Sequence, residues 1–505
     1  MPTVAGTLTN AASRTPDREA LVFGDRRWTY RELDREVSGA AATLQRHGVG
    51  RGDRVALVSA NSDRFVVAFY AALRAGAIVV PVNPALAVPE LEHVLADAEC
   101  RLALADAAAA AKLDGLTDGR GTTVAVLRLD RADGPDALVG DEPGAFREVE
   151  VAEDDDALII YTSGTTGKAK GVLLDHHRVI WVGVNAIAVA KLTDGARLLH
   201  VAPLYHAAQL GIMLISGTML GATHVVLAAF EPGRVLETLE RERISSFFGV
   251  PTMFELLLRH PELARRDLSA WRTGMFGAAP MPAATVARLL DALPHVEVMQ
   301  LCGQTEAGPG GIYSSFDDVR ERPDASGRTP LPNTEARVVG EDGREVGDGE
   351  VGELLLRGET IMKGYWRNPE QTAEAIRDRW LHTGDLVRRD VGGFMTIVDR
   401  AKDLIITGGR NVYSVEVENA VAAHPAVLEC AVVGRPHEVY GESIVAVVVA
   451  RPGERVDRDD LRASCAELIA DYKLPHDVVL VDALPRNGSG KVLKRVLRER
   501  VAVPV

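Results

Sequence analysis

Short apolar runs and longer apolar-faced stretches alternate through most of the chain. Arg54-Val55-Ala56-Leu57-Val58 has the length and β-branched content of a buried strand, and Phe65 to Ala75 that of a helix with one apolar face. Gly76 to Val82 predicts another strand, ending in a turn. The rhythm returns as a strand over Leu198 to Ala202, a helix over Leu210 to Leu220 and a strand over Thr223 to Leu227. Strand–helix–strand alternation predicts parallel sheets covered by helices. An all-helical fold is disfavoured because the Val/Ile runs are short and punctuated by Gly and Pro.

The pattern changes between Thr383 and Asp403. Upstream, the Gly349–Gly358 stretch has the Gly and Val spacing of tight-turned β structure. Downstream the pattern is α+β: a helix over Val415 to Ala423, strands over Glu429 to Val433 and Ser443 to Ala450, a helix over Asp459 to Asp471, and a basic helix over Val492 to Arg500. We expect a multi-domain α/β protein. A large N-terminal body of helix-covered sheets with a β-rich subdomain occupies 1–401, and a small mobile α+β lid occupies 402–505.

Composition narrows the classes. At 505 residues the chain exceeds what one core organises. A hydrophobic content of 47% with 25% charged residues is globular, and a net charge of −14 argues against a general nucleic-acid binder. The four cysteines are far apart and form no Cys-x-x-Cys pair, so neither a disulfide framework nor a zinc site is expected. The chain shows no secretory pattern at Met1–Gly6 and no apolar run long enough to span a bilayer, which leads us to expect a cytoplasmic protein.

The densest chemistry is Tyr161-Thr162-Ser163-Gly164-Thr165-Thr166-Gly167-Lys168-Ala169-Lys170-Gly171, directly after the apolar run Ala157–Ile160. Glycines let backbone N–H groups close around an anion, hydroxyls add donors and lysines add charge, which together suit a polyphosphate. It is not a Walker loop, because Thr162 stands where the first glycine should and Ala169 follows Gly167-Lys168. Nor does it contain the Gly-x-Gly-x-x-Gly dinucleotide fingerprint.

This segment resembles the phosphate loop of the adenylate-forming superfamily, which includes acyl- and aryl-CoA ligases, non-ribosomal peptide adenylation domains and beetle luciferases. Members usually have Pro where Ala169 stands. Further motifs extend the likeness from about Trp28-Thr29-Tyr30 to Lys491. Gln300-Leu301-Cys302-Gly303-Gln304-Thr305-Glu306 resembles the segment in which Thr meets the α-phosphate and Glu ligates Mg2+, a hard cation suited to carboxylate oxygen. Cys302 stands where members carry a Tyr that stacks on adenine, a loss of about 0.5–1.5 kcal/mol of contact. His382-Thr383-Gly384-Asp385 and Asp399-Arg400-Ala401-Lys402-Asp403 resemble the ribose-binding and hinge motifs. Ile405–Tyr413 resembles the loop that lines the pantetheine tunnel, and Pro485–Lys491 the turn that carries a catalytic lysine.

The likeness implies catalytic roles for Lys491, Glu306, Thr166 and His206, with Glu306 and Thr166 holding the metal. ATP contacts are implied for Thr162, Ser163, Gly164, Thr165, Thr166, Gly167, Lys170, Ala278, Ala279, Pro280, Cys302, Gly303, Gln304, Thr305, Asp385, Ile397, Arg400 and Lys491. Lys402, Gly408, Gly409 and Arg410 are implied at the hinge and the coenzyme A channel. His206 lies in Pro203-Leu204-Tyr205-His206, which resembles the gate between acid and thiol. An apolar acyl pocket is expected from His206, Ala207, Ala208, Gln209, Val250, Gly277 and Gly308. It suits a hydrophobic, bulky or ring-bearing carboxylic acid.

The expected activity is an ATP-dependent acyl-CoA ligase that forms an acyl-adenylate, releases pyrophosphate and then makes a thioester after the lid rotates. A stand-alone enzyme loading a carrier protein is the alternative reading. No carrier attachment segment follows Lys491, and Ala207-Ala208-Gln209 takes the place where amino-acid-selecting members carry an aspartate. A catalytically idle binding protein of the same fold is disfavoured by the presence of Lys491, Glu306 and Asp385. Homodimers are common among similar proteins.

Overall fold

The computed structural model describes residues 3–131, 133–138, 143–162, 168–279, 281–486 and 492–502, and counts below refer to these. The chain divides into two compact units, residues 1–336 with 355–382, and residues 337–354 with 383–505.

The first unit holds two large sheets. In the nine-stranded sheet, Glu19–Phe23, Thr223–Val226, Arg197–His200, Ser246–Gly249, Thr273–Gly277 and Glu297–Gly303 run parallel in that order. Their carboxyl ends therefore emerge along one edge, where open α/β sheets place ligands. The strands read as near-continuous apolar runs because both faces are covered. On one face Leu199, Phe247, Phe254, Trp271, Phe276 and Val298 form a buried cluster. On the other Leu198, Phe248, Met275 and Met299 pack with Val182 and Ile212.

The seven-stranded sheet has a parallel core of Ala125–Arg128, Leu102–Ala105, Arg54–Val58, Ile78–Val82 and Asp156–Thr162. Lys170–Asp175 then returns antiparallel beside Asp156–Thr162, with Thr162 opposite Lys170. Both expected strands, Arg54–Val58 and the one ending at Val82, are present, and Asp63–Arg74 is the helix between them, capped by the Ser62 hydroxyl. The expected Leu210–Leu220 helix begins instead as a π-helix over Gln209–Ile215 and becomes α-helical only over Ser216–Met219. Apolar periodicity over so short a run does not separate the two, and π-turns mark functional sites more often than chance.

In the second unit, Val427–His437, Gly441–Ala450, Ile405–Thr407, Arg410–Val412 and Asp477–Leu480 form one sheet. Ile444, Ala446 and Val448 join one buried cluster, and Val445, Val447 and Val449 another. That alternation explains an apolar run without a polar face: helices cover both sides. Gly408 and Gly409, with φ of 56° and 72°, make the two-residue turn between Ile405–Thr407 and Arg410–Val412. A primed turn of this kind requires left-handed backbone at both positions, hence the glycine pair.

Candidate active site

The site is best built from the ends of the parallel strands. Gly277 ends its strand opposite Leu301, where a Cβ would lie 2.4 Å from the Leu301 carbonyl oxygen. Ala278 follows with φ of 66°, a left-handed backbone that a residue with a Cβ adopts at a cost. The neighbouring strand continues through Cys302 to Gly303, which pairs antiparallel with Gly311. A Cβ at Gly303 would lie 2.1 Å from the Gly310 carbonyl oxygen. Gln304 then leads into the 3₁₀ turn Thr305–Ala307, closed by Gly308 at φ 65°. These glycines thread backbone through gaps too narrow for a side chain, and so aim Thr305 and Glu306 off the sheet edge.

Glu306 is fixed at both ends. Its carbonyl accepts from Met362 N at 2.9 Å, and its Oε1 accepts from the Tyr365 hydroxyl at 3.0 Å. Tyr365 sits opposite Val172 on the strand that flanks Lys170–Asp175, and Lys170 Nζ lies 5.1 Å from the Tyr365 ring centroid. A cation over a phenol face is attractive. Burial and the Glu306 carboxylate raise the Tyr365 hydroxyl pKa, so it stays protonated and keeps donating. Two motifs 136 positions apart in the sequence, at Lys170 and Glu306, are thus joined through one tyrosine that sequence reasoning missed. Its signal is weak: Gly364-Tyr365-Trp366 is an aromatic pair with nothing to mark its partner.

The Pro203–His206 segment is held by a second residue that sequence reasoning missed. Asn61 Nδ2 donates to Ala202 O at 3.0 Å, while Asn61 Oδ1 accepts from Leu204 N at 2.7 Å. The amide clamps the loop from both sides. His206 stacks at a tilt on Tyr205, with centroids 4.8 Å apart, and its buried Nε2 has no partner. Burial holds its pKa down to about 4, so the imidazole is neutral near pH 7. Ala207 is buried and Ala208 half-buried, and Gln209 opens the π-helix fully buried. Val250 precedes the helix Pro251–Arg259 at the carboxyl end of the Ser246–Gly249 strand.

Beside the Thr305–Glu306 turn lies a small cavity with room for about one water. Val182, Asn185, Ile212, Leu301, Cys302 and Leu331 line it, together with the backbone from Gly308 to Ile312. Cys302 and Gly308 are thus the two sequence candidates on its wall.

In the second unit, Asp385 lies opposite Arg400 across an antiparallel pair, and the Arg400 Nε–Asp385 Oδ1 distance is 2.7 Å. Ile397 sits opposite Val387 in the same hairpin. Asp399 caps the helix Ser414–Ala422 from outside: it accepts from Ser414 N, from Ser414 Oγ at 3.0 Å and from Arg400 N at 2.7 Å. Lys402 is exposed, and its carbonyl accepts from Arg498, which also pairs with Asp403 at 2.6 Å. The exposed Arg410 leaves the glycine turn with its guanidinium 4.8 Å from the Tyr472 ring. Ser163, Gly164, Thr165, Thr166, Gly167, Pro280 and Lys491 lie outside the described residues. Among the described residues no three His, Cys, Asp or Glu side chains gather as a metal site, and no helix is long and apolar enough to cross a membrane.

A sheet edge bearing a glycine-threaded Thr-Glu turn, with a lysine tied to it, defines a nucleotide-using enzyme. The comparisons place it further. Residues 8–366 match the AMP-binding enzyme family and residues 416–491 its C-terminal domain, so the chain belongs to the AMP-binding, adenylate-forming enzymes, of the acyl-CoA ligase type. It is 40% identical over 489 residues to a feruloyl-CoA synthase of Amycolatopsis, covering 97% of both chains. It is 34% identical to the long-chain-fatty-acid–CoA ligase FadD13 of Mycobacterium tuberculosis, covering all of both. The ATP-bound MatB structure from Rhodopseudomonas palustris superposes with a TM-score of 0.90 at 33% identity, over 99% of each chain.

Proposed function

We propose that this enzyme joins a hydrophobic, ring-bearing carboxylic acid to coenzyme A in two steps. The acid's carboxylate oxygen attacks the α-phosphorus of ATP and pyrophosphate leaves. The thiol sulfur of coenzyme A then attacks the acyl carbon and AMP leaves. The observation that carries this reading is the linkage of Lys170 and Glu306 through Tyr365, because it sets a lysine from the Gly/Thr-rich motif within one tyrosine of the carboxylate that would ligate the metal. Likeness to a feruloyl-CoA synthase and a long-chain-fatty-acid–CoA ligase supports the choice of coenzyme A as acceptor.

Both first-step reactants are anions, so the site must bind the developing charge better than the separated ions. Glu306 and Thr166 would hold Mg2+, which supplies positive charge beside the phosphates; Glu306 offers the hard oxygen this needs. Lys491, after a Gly-Ser-Gly turn, would bring its ammonium between carboxylate and α-phosphate. Asp385 would accept from the ribose hydroxyls, with Arg400 orienting it. The neutral His206 would act as an uncharged gate between acyl group and thiol. Lys402 would be the hinge that begins the mobile lid, and Gly408, Gly409 and Arg410 would face the pantetheine arm.

Pyrophosphate exchange over a panel of acids, with and without coenzyme A, tests this. We expect exchange with apolar acids and thioester only when coenzyme A is added. Lys491→Ala should abolish exchange. Lys402→Pro should suppress thioester formation while exchange persists, and equal loss of both would remove the hinge from the scheme. Acyl transfer to a carrier protein in preference to coenzyme A would overturn the acceptor.

A further inference from the structure

The helix Val88–Asp97 carries none of the motifs above, yet two of its side chains meet the Gly/Thr-rich stretch on either side of its glycines. Asp97 Oδ2 accepts from the Tyr161 hydroxyl at 2.5 Å, and Tyr161 precedes Gly164. One turn back along the helix, His93 Nε2 donates to Ala169 O at 3.0 Å, and Ala169 follows Gly167. The i, i+4 spacing of His93 and Asp97 puts both on one helix face. The His93 and Tyr161 rings also meet edge to face, with centroids 6.4 Å apart and planes at 82°. Burial raises the Tyr161 hydroxyl pKa, so the group stays protonated and keeps donating.

The helix does not need Asp97 for its own sake. Asp97 is the last helical residue, where a carboxylate faces the negative end of the macrodipole. The helix end is closed by another group: Arg54 Nε donates to Ala98 O at 2.9 Å and Arg54 Nη2 to Glu99 O at 3.2 Å. The carboxylate thus opposes its own helix, and the bond from Tyr161 offsets that. Trp366 adds a third tie, donating from Nε1 to Asp97 O at 3.1 Å and from its backbone N to Gly171 O at 2.7 Å. Gly171 lies opposite Tyr161, and a Cβ there would lie 2.5 Å from Ile159 Cγ2. Trp366 also follows Tyr365, which holds Glu306, so helix, loop flanks and Thr-Glu turn form one bonded frame.

Resting on the acyl-CoA ligase reading above, we propose that His93 and Asp97 are positioning residues for the triphosphate of ATP. They act through Ala169 and Tyr161, fixing the two points between which the Gly/Thr-rich stretch closes on phosphate. A glycine-rich segment loses much conformational freedom when it orders on a ligand, and holding its flanks beforehand lowers that cost. Alanine, unlike proline, leaves φ free at position 169, so the exit needs an outside tie, and His93 supplies it. The effect is confined to ATP: neither residue adds a contact to the acid or to coenzyme A.

The test measures kcat and the separate KM values for ATP, acid and coenzyme A in thioester formation. Tyr161→Phe keeps the ring and removes the hydroxyl that meets Asp97, and His93→Leu removes the N–H that meets Ala169. Each should raise the ATP KM by about fivefold or more, the worth of one hydrogen bond, with the other two KM values unchanged. His93→Gln carries an N–H to a similar reach and should keep the native ATP KM. An unchanged ATP KM in either removal variant overturns the proposal. So does an equal rise in all three KM values, a fall in kcat alone, which lost folded enzyme would give, or His93→Gln behaving as His93→Leu. Each of these leaves the ligase reading standing. Absence of pyrophosphate exchange with every acid in the native enzyme overturns that reading, and this proposal with it.

Discussion

Each unit of the molecule buries a polar network, and the two are built on opposite principles. In the first unit, Gln209 Nε2 donates to His200 Nδ1 at 2.8 Å. His200 Nε2 then donates to His224 Nδ1 at 2.9 Å, and His224 Nε2 to Thr218 Oγ1 at 3.1 Å. Thr218 also accepts from Tyr70 at 2.8 Å and donates to Leu214 O at 2.8 Å. One tautomer set satisfies every link with no charge. In the second unit the members are ionic: Lys494 reaches Glu418 at 2.7 Å and Ser414 Oγ at 2.6 Å, and Ser414 bonds Asp399. A neutral chain needs a fixed protonation state, whereas an ionic one needs every partner present. The first therefore suits a site wall next to the π-helix, and the second a helix junction.

Acidification should separate them most. Burial holds His224 down to about 3 and His200 well below the usual imidazole range, and lowers His176 and His206 to about 4. The unfolded chain then binds more protons than the folded one between pH 6.5 and these values, so stability falls as pH drops through that window. For His224 alone the loss at pH 5 is about 2 kcal/mol, and the other three act in the same direction. Asp399 and Glu418 are raised by burial, more than Lys494 lowers them. Their sign is reversed: the folded state holds protons longer, so lowering pH does not destabilise this region through them. Hydrogen exchange on the intact chain, corrected for intrinsic rates, should lose protection over 197–226 between pH 7.5 and 5 and keep it over 414–433. Equal loss in both would end the contrast.

Lys494→Met attacks the ionic network next. It leaves Glu418 and Asp399 buried without a cation, which costs about 2–3 kcal/mol given that both Lys494 and Glu418 keep some solvent contact. Denaturant unfolding should detect it. The deficit should shrink as pH falls, because burial favours the protonated carboxyls and these need no ammonium. A deficit independent of pH would assign the loss to packing of the lysine stem.

The same contrast marks what was legible in the sequence. Local rules carried the strand–helix alternation, the Gly408-Gly409 turn and the Gly303–Gly308 motif, because each depends on residues a few positions apart. The paired strands of the second unit were legible as the apolar stretches Glu429–Val433 and Ser443–Ala450. Tyr365, Asn61 and His93 were not. Tyr365 and Glu306 are 59 positions apart, and Asn61 clamps a loop more than 140 positions on, so nothing local distinguishes them from other residues of their type. His93 is likewise 76 positions from the Ala169 carbonyl it holds. The π-helix was missed because a seven-residue, mostly apolar segment fits either winding.

The mildest test lies at the end of the neutral chain. Tyr70→Phe removes a hydroxyl that donates to Thr218 and has Thr7 beside it. The ring keeps its edge-on contact with Phe69, with centroids 5.3 Å apart. Thr218 still accepts from His224 and donates to Leu214, and Thr7 still donates to Val4 O at 2.7 Å, so no buried group is orphaned. The expected loss is about 1 kcal/mol or less, the net value of one neutral hydrogen bond. Thr218→Val should cost more than Tyr70→Phe, because it strands the buried His224 N–H. If the two variants lose equally in urea unfolding, the links do not depend on one another, and the first unit's network is a set of separate contacts with no polarised chain.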